Sequence, residues 1–187
     1  MDGKPRGCAT TSKYEAAGTH SITAAYSGDA ALAGSTSTAI AQVVSKYSTT
    51  TTVISNMNPS TYLQAVTFTA TVSPTGPYTL TGRVSFKSGS TTLGTVTLSG
   101  GTASYTTSTL TAGTKSITAV YNGDANDAAS TSAVLSQIVN KVATTTSLVS
   151  APNPSTFQQT VTFTATVSAT GATPTGTVTF RRGLSMQ

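Results

Sequence analysis

Two stretches of the chain place a carboxylate directly behind a glycine: Tyr26-Ser27-Gly28-Asp29-Ala30 and Tyr121-Asn122-Gly123-Asp124-Ala125. Two chemistries fit that arrangement. In the first, the carboxylate is a calcium ligand, with Asp124, Asn126 and Asp127 as the start of a set. Calcium takes six to eight oxygens, and the earlier stretch continues as Ala30-Ala31-Leu32, which adds no side-chain oxygen. In the second, the Asp accepts hydrogen bonds from backbone amides of its own turn. The residue types favour the turn.

A second constellation would be a lysine–asparagine isopeptide crosslink, which needs a buried acid beside it. Lys46, Lys87, Lys115 and Lys141 are available, but the acids near them are Asp124 and Asp127, both in the same loop, and the central unit has no Glu. His20 is the single histidine, and Cys8 the single cysteine, so no intrachain disulfide forms. A metal or catalytic role for His20 lacks partners. A nucleophilic role for Cys8 lacks a base. Tyr26 and Tyr121 read as strand-end anchors with a hydrogen-bonded hydroxyl rather than as a ligand site. Asn58-Pro59-Ser60 and Asn153-Pro154-Ser155 are not glycosylation sequons, because proline occupies the middle position. Paired carboxylates, a nucleophile triad and a metal cluster are all missing from the pattern. No catalytic, cofactor-binding or metal-binding residue is therefore assigned, and the chain does not read as an enzyme.

The elements that would position these residues come from an internal repeat. Asn58-Pro59-Ser60-Thr61 recurs as Asn153-Pro154-Ser155-Thr156, and the run VTFTATVS from Val66 to Ser73 recurs unchanged from Val161 to Ser168. With the two Gly-Asp stretches these share one period of about 95 residues, too long for helical solenoids and right for a β-sandwich of about 100. The register slips by one near Tyr78 and resumes as Gly82-Arg83-Val84-Ser85-Phe86 against Gly176-Thr177-Val178-Thr179-Phe180. His20 then corresponds to Lys115, a position that accepts a solvated cation.

Composition points the same way. Charged residues are 8% of the 187 and hydrophobic residues 37%; Ser and Thr make up about a third, where threonine's β-branch suits a pleated surface. A disordered chain of this type would show high net charge and no periodicity. Here strict alternation predicts strands near 49–55, 65–73, 82–88, 92–98, 102–108, 115–121 and 132–140. Val66, Phe68, Ala70 and Val72 share one face of the second of these, and Thr67, Thr69 and Thr71 the other. Val84, Phe86, Val96, Leu98, Ala103, Tyr105, Ile117, Ala119, Tyr121, Leu135 and Val139 extend the apolar set. Ser99-Gly100-Gly101-Thr102 predicts a tight two-residue hairpin. Two antiparallel sheets packed face to face follow. The Ser and Thr ladders read as uncharged solvent-facing surface rather than as a sugar-bearing or sugar-binding one.

The net charge is +5, but Lys4, Arg6, Lys13, Arg181 and Arg182 lie near the ends and form no stripe with interleaved aromatics, so nucleic acid is not a partner. No apolar run is long enough to insert in a membrane, and residues 1–25 lack the apolar core of a secretion signal.

Taken together, the NPS(T) piece, the VTFTATVS strand, the TGxVxF strand, LSGGTASYTTSTLTAGTKSITAVY and the Y-x-G-D turn resemble the bacterial immunoglobulin-like repeats of large surface and secreted proteins. The likeness covers most of residues 17–180. It stops in the first ~16 residues, where Thr10 stands for Tyr105 and Glu15 for Leu110, and after Leu184. The resemblance implies an all-β chain of tandem immunoglobulin-like antiparallel β-sandwiches: residues 1–46 the C-terminal part of one repeat, 47–141 a complete repeat, and 142–187 the N-terminal part of a third. Linkers fall near 45–48 and 140–143. It implies an extracellular or cell-surface location and a non-enzymatic spacer or adhesin stalk, with neighbouring repeats as partners. The alternative is an adhesion module that binds glycan or protein through sandwich-end loops, which predicts an exposed apolar spot at Pro77, Tyr78 and Leu80. The partial repeats at the two ends are complementary, so head-to-tail self-association is a further expectation.

Overall fold

A computed structural model describes residues 7–11, 13, 16–74 and 79–183. In chain order the strands are β1 (Gly18–Ile22), β2 (Ala25–Tyr26), β3 (Ser35–Thr36), β4 (Ile40–Val44), β5 (Thr49–Ser55), β6 (Ser60–Thr61), β7 (Val66–Pro74), β8 (Arg83–Ser88) and β9 (Thr91–Thr97). They continue with β10 (Thr102–Thr107), β11 (Gly113–Tyr121), β12 (Ser130–Thr131), β13 (Leu135–Asn140), β14 (Thr144–Ala151) and β15 (Thr162–Ala169). Among the described residues there is no helix.

β5 to β13 build a sandwich. One sheet has the order β10-β7-β5; the other runs β6-β13-β11-β8-β9, with β12 against the end of β11. The alternation in β7 decides its orientation: Val66, Phe68, Ala70 and Val72 are buried inward. Across the gap, Val84 and Phe86 of β8 and Ile117, Ala119 and Tyr121 of β11 are buried against them in one core cluster. Val96 and Leu135, expected in the core, pack partly buried at its margin.

The outward faces carry threonine for a reason. Thr67 pairs with Thr106 and Thr69 with Ser104 across β7 and β10, and their hydroxyls meet at 2.8 and 3.1 Å. Ser85 and Thr95 do the same across β8 and β9 at 3.1 Å. Such directly opposed hydroxyl pairs stabilise a sheet without charge.

Ser99 and Thr102 exchange both backbone hydrogen bonds, 2.9 and 3.0 Å. Gly100 and Gly101 have φ of 55° and 76°, as a two-residue turn requires. The expected tight turn is there, but its two strands part. β9 stays with β8, while β10 crosses to pair with β7.

The leading strand also crosses between sheets. β5 pairs with β7 in one sheet, and β6 runs parallel to β13 in the other. The Asn58 side chain makes the crossing. Its amide donates to Ser136 O at 2.7 Å and its oxygen accepts from Ile138 N at 2.9 Å, so it acts as one more peptide group in the β13 ladder. Beside it, Gln137 lies fully buried between Leu135 and Val139. Its amide nitrogen reaches Met57 O and Ser60 Oγ at 2.9 and 3.2 Å, while its Oε1 has no partner.

Outside the sandwich, β1 pairs with β4, β2 with β3, and β14 with β15, all antiparallel. Residues 177–180, which match β8 in sequence, form no strand, and Val178 and Phe180 are exposed. β8 is held on one side by β11 and on the other by β9; among the described residues no strand pairs with 177–180.

Candidate functional site: the Asp124 turn and the linker before it

The turn after β11 is built by its glycine and its aspartate. Gly123 has φ 76°, and a Cβ there would meet Asp127 O at 2.8 Å, so only glycine fits both the conformation and the space. Asp124 Oδ1 then accepts from the amides of Asn126 and Asp127 at 2.9 and 2.8 Å. Its Oδ2 accepts from the Thr81 amide at 3.2 Å and from the Thr81 hydroxyl. Both oxygens thus serve the turn and the loop before β8. Burial works against the charge of Asp124, but the Thr81 hydroxyl and the amides of Asn126, Asp127 and Thr81 outweigh it and hold the carboxyl down to about 2. Asp127 is buried; burial first, and then the Asp124 charge, push its carboxyl up.

Tyr121 closes the other side. Its ring is fully buried and its hydroxyl donates to Thr81 O at 2.8 Å. Burial and the two aspartates push the phenol up to about 12. It anchors the strand end as expected.

The Asp29 turn repeats the design. Gly28 has φ 83°, and Asp29 Oδ1 accepts from the amides of Ala31 and Leu32, both at 2.8 Å. Tyr26 differs from the expectation: its hydroxyl donates to Asp29 Oδ2 at 2.9 Å, but its ring is 46% exposed and anchors no core. In the sandwich the Tyr121 ring is covered because the β10-β7-β5 sheet lies across from the sheet that holds β11, and among the described residues no sheet faces β1 to β4.

The linker lies along the Asp124 turn. Tyr47 N donates to Asn126 O and Ala128 N donates to Tyr47 O, both at 2.8 Å, forming a parallel bridge around Asp127. Thr49 Oγ1 donates to Ala128 O at 2.8 Å. The Lys46 ammonium donates to Asp124 O, and the Ala17 amide to Asn126 Oδ1 at 2.9 Å. The sequence singled out Asp124 but did not mark Asn126 as a contact to the preceding segment. The signal was there: Ala31 stands where Asn126 does.

The other singled-out residues do not converge. Among the described residues no lysine is buried; Lys115 bonds Thr111 Oγ1 at 2.7 Å, and Asp127, though buried, sits in the loop beside the exposed Lys46. His20 Nε2 is 3.1 Å from Ala16 O. Cys8 is exposed. Leu80 is buried, 5% exposed, and belongs to the core cluster, so it takes no part in the apolar loop spot expected there. Pro77 and Tyr78 lie outside the described residues. Among the described residues, no group of three acidic, histidine or cysteine side chains is placed to hold a metal.

One apolar groove, of about 560 Å³, runs over β14 and β15 and is lined by Leu148, Phe163, Ala165, Val178 and Phe180. By the repeat these correspond to Val53, Phe68, Ala70, Val84 and Phe86, all in or against the sandwich core. Thr146, Thr179, Arg181 and Arg182 complete the lining, and the apolar part of the groove has the composition of an uncovered core face.

Against known proteins, residues 51–140 match the family model of the bacterial Ig-like domain, group 3. No curated protein matches the chain. A solved structure of Clostridium thermocellum CbhA fibronectin(III)-like modules is similar at 17% identity and a TM-score of 0.40 over 67% of this chain, which spans 64% of that one. With its two antiparallel sheets, its apolar inner faces and its Tyr-x-Gly-Asp turn, the segment 51–140 belongs to the bacterial Ig-like domains of group 3.

Proposed function

We propose that the chain is a spacer, a non-enzymatic structural piece of an extracellular or cell-surface repeat protein, and that it serves as part of an adhesin stalk. In this reading residues 47–141 are one whole repeat, with parts of neighbouring repeats at 1–46 and 142–187.

The observation that carries the reading is where the chain enters and leaves the sandwich. It enters at Thr49, tied to Ala128 beyond the far end of β11. It leaves at Asn140, next to Val139, which pairs with Gly113 at the start of β11. The two points lie at opposite ends of a nine-residue strand, about 30 Å apart at ~3.3 Å per residue. Units joined this way follow one another end to end. Walls of paired hydroxyls, with almost no charge, offer neighbours little to bind.

Small-angle scattering on arrays of two, three and four repeats tests this. A spacer gains a constant increment of maximum dimension with each repeat. Arrays that stay compact as repeats are added would remove the reading.

A further inference from the structure

The contacts at residues 17 and 46–49 raise a question about the joint between units. A stalk needs its joints to hold an angle, and a peptide linker alone does not. Here the linker is not alone. The Asp124 carboxylate fixes the amides of Asn126 and Asp127, which leaves the outer side of the turn presenting carbonyl and amide groups in a set direction. Asn126 uses that position twice. Its backbone oxygen accepts from Tyr47 N at 2.8 Å, and its side-chain oxygen accepts from Ala17 N at 2.9 Å. The first contact holds the linker. The second holds the residue directly before β1 and so reaches the preceding unit itself.

We infer that the 122–128 turn is a docking seat for the preceding unit, with Asn126 as the residue that sets the angle of the joint. The partner is the segment made by residues 17–46 of the same chain. The inference rests on the spacer reading for its biological purpose, but its geometry stands on these contacts.

The Asp29 turn supplies an internal contrast. It has the same glycine, the same aspartate cap and the same two amide bonds. At the position of Asn126 it has Ala31, and at that of Asp127, Leu32. The cap is therefore what folds the turn, and Asn126 is an addition to it. A turn of the Asp29 type keeps a backbone carbonyl for the linker but has no side-chain oxygen for the neighbouring unit. Repeats of one array thus carry two grades of seat, and the third residue after the glycine decides which.

Pulsed dipolar spectroscopy on the full chain tests the seat. Cys8→Ser removes the native thiol, and spin labels at Thr38→Cys and Thr97→Cys report the distance between the preceding unit and β9. The expected result is a narrow distribution that loses its narrow component in Asn126→Ala, the change that copies Ala31. Asn126→Asp, which keeps an acceptor oxygen at the same place, should retain it. Urea unfolding followed by tyrosine fluorescence should have the same midpoint in all three, because Asn126 leaves the core untouched. A distribution already broad in the parent, or one unchanged by Asn126→Ala, would overturn the inference. Neither outcome touches the spacer reading, since a loosely jointed array still lengthens with every added repeat.

Discussion

The ring of Tyr105 packs against Gly94 in the space where any other residue would carry its Cβ. One residue belongs to each sheet, β10 and β9, and the contact is fixed from both sides. The Tyr105 hydroxyl donates to Leu93 O at 2.7 Å, and its ring stacks on Phe86 with centroids 5.8 Å apart. Gly94→Ala should push the ring off both partners and cost about 1–3 kcal/mol, the usual cost of overpacking. Tyr105→Phe keeps the ring and loses one hydrogen bond, for about 1 kcal/mol. Urea unfolding of the two variants would read the difference, and equal losses would show that the hydroxyl, not the space at Gly94, dominates.

Asn58 should matter more than an exposed loop residue normally does. Asn58→Ala removes both bonds to β13, at 2.7 and 2.9 Å, and should cost about 1–2 kcal/mol. Asn58→Asp keeps the acceptor for Ile138 N but sets a carboxylate against Ser136 O, so it should be no better than alanine at neutral pH. Hydrogen exchange at Ile138 would report the lost acceptor directly: faster exchange is expected in the alanine variant.

The turn aspartates make stability depend on pH in opposite senses. Asp124 is held down to about 2 in the folded chain, below its ordinary value. Its contribution is therefore complete above the ordinary carboxylate range and is lost as pH falls toward 2. Asp127 is raised, chiefly by burial. Just above the ordinary carboxylate range the folded form holds its proton more tightly, so falling pH favours folding there. Tyr121 is raised to about 12, so its contribution is complete below pH ~10 and is lost between there and 12. Unfolding midpoints measured from pH 2 to 12 should fall at both ends. Asp124→Asn should flatten the acid side, and Tyr121→Phe the alkaline side.

The apolar faces outside the sandwich make a prediction about association. Phe163, Phe180 and Leu148 are more than half exposed, as is Ile40 of β4. The counterparts of the first three on β7, β8 and β5 pack with β11 and β13, whose own counterparts are β1 and β4. We expect the chain to self-associate through these faces as concentration rises, measured by sedimentation velocity. Phe163→Asp should abolish this and leave the unfolding midpoint of residues 47–141 in place. A chain monomeric at every concentration would rule it out.

Much of this architecture was legible in the residues because most of it rests on short-range alternation. The face of β7 follows from VTFTATVS alone, and the seven expected strands lie within a few residues of those observed. Asn58 was recognised as part of a repeated motif but not as a bridge, because its partners on β13 lie 78 and 80 residues away. The role of Gln137 is hidden in the sequence for a related reason. Its place between Leu135 and Val139 put it on the inner face, but a glutamine there is tolerable only because Met57 and Ser60 come from the crossing strand to meet it. The divergence of β9 and β10 after a well-formed turn was likewise hidden, since the turn's geometry is local and the choice of sheet is not. Tyr26 shows the converse. Its sequence is nearly that of Tyr121, and what differs is the sheet that covers one and not the other.

The parallel pairing of β6 with β13 has a mechanical consequence. The first crossing strand and the last strand of the sandwich lie side by side and point the same way. Tension along the chain draws β6 back by its leading end and β13 forward by its trailing end. The two are then sheared past each other rather than peeled apart. The bonds of Asn58 to Ser136 and Ile138, and of Tyr62 N to Asn140 O at 2.8 Å, are loaded together, so rupture requires them to fail at once. A pull across the sheet, applied at β9 instead, would open β8 and β9 one pair at a time and at lower force.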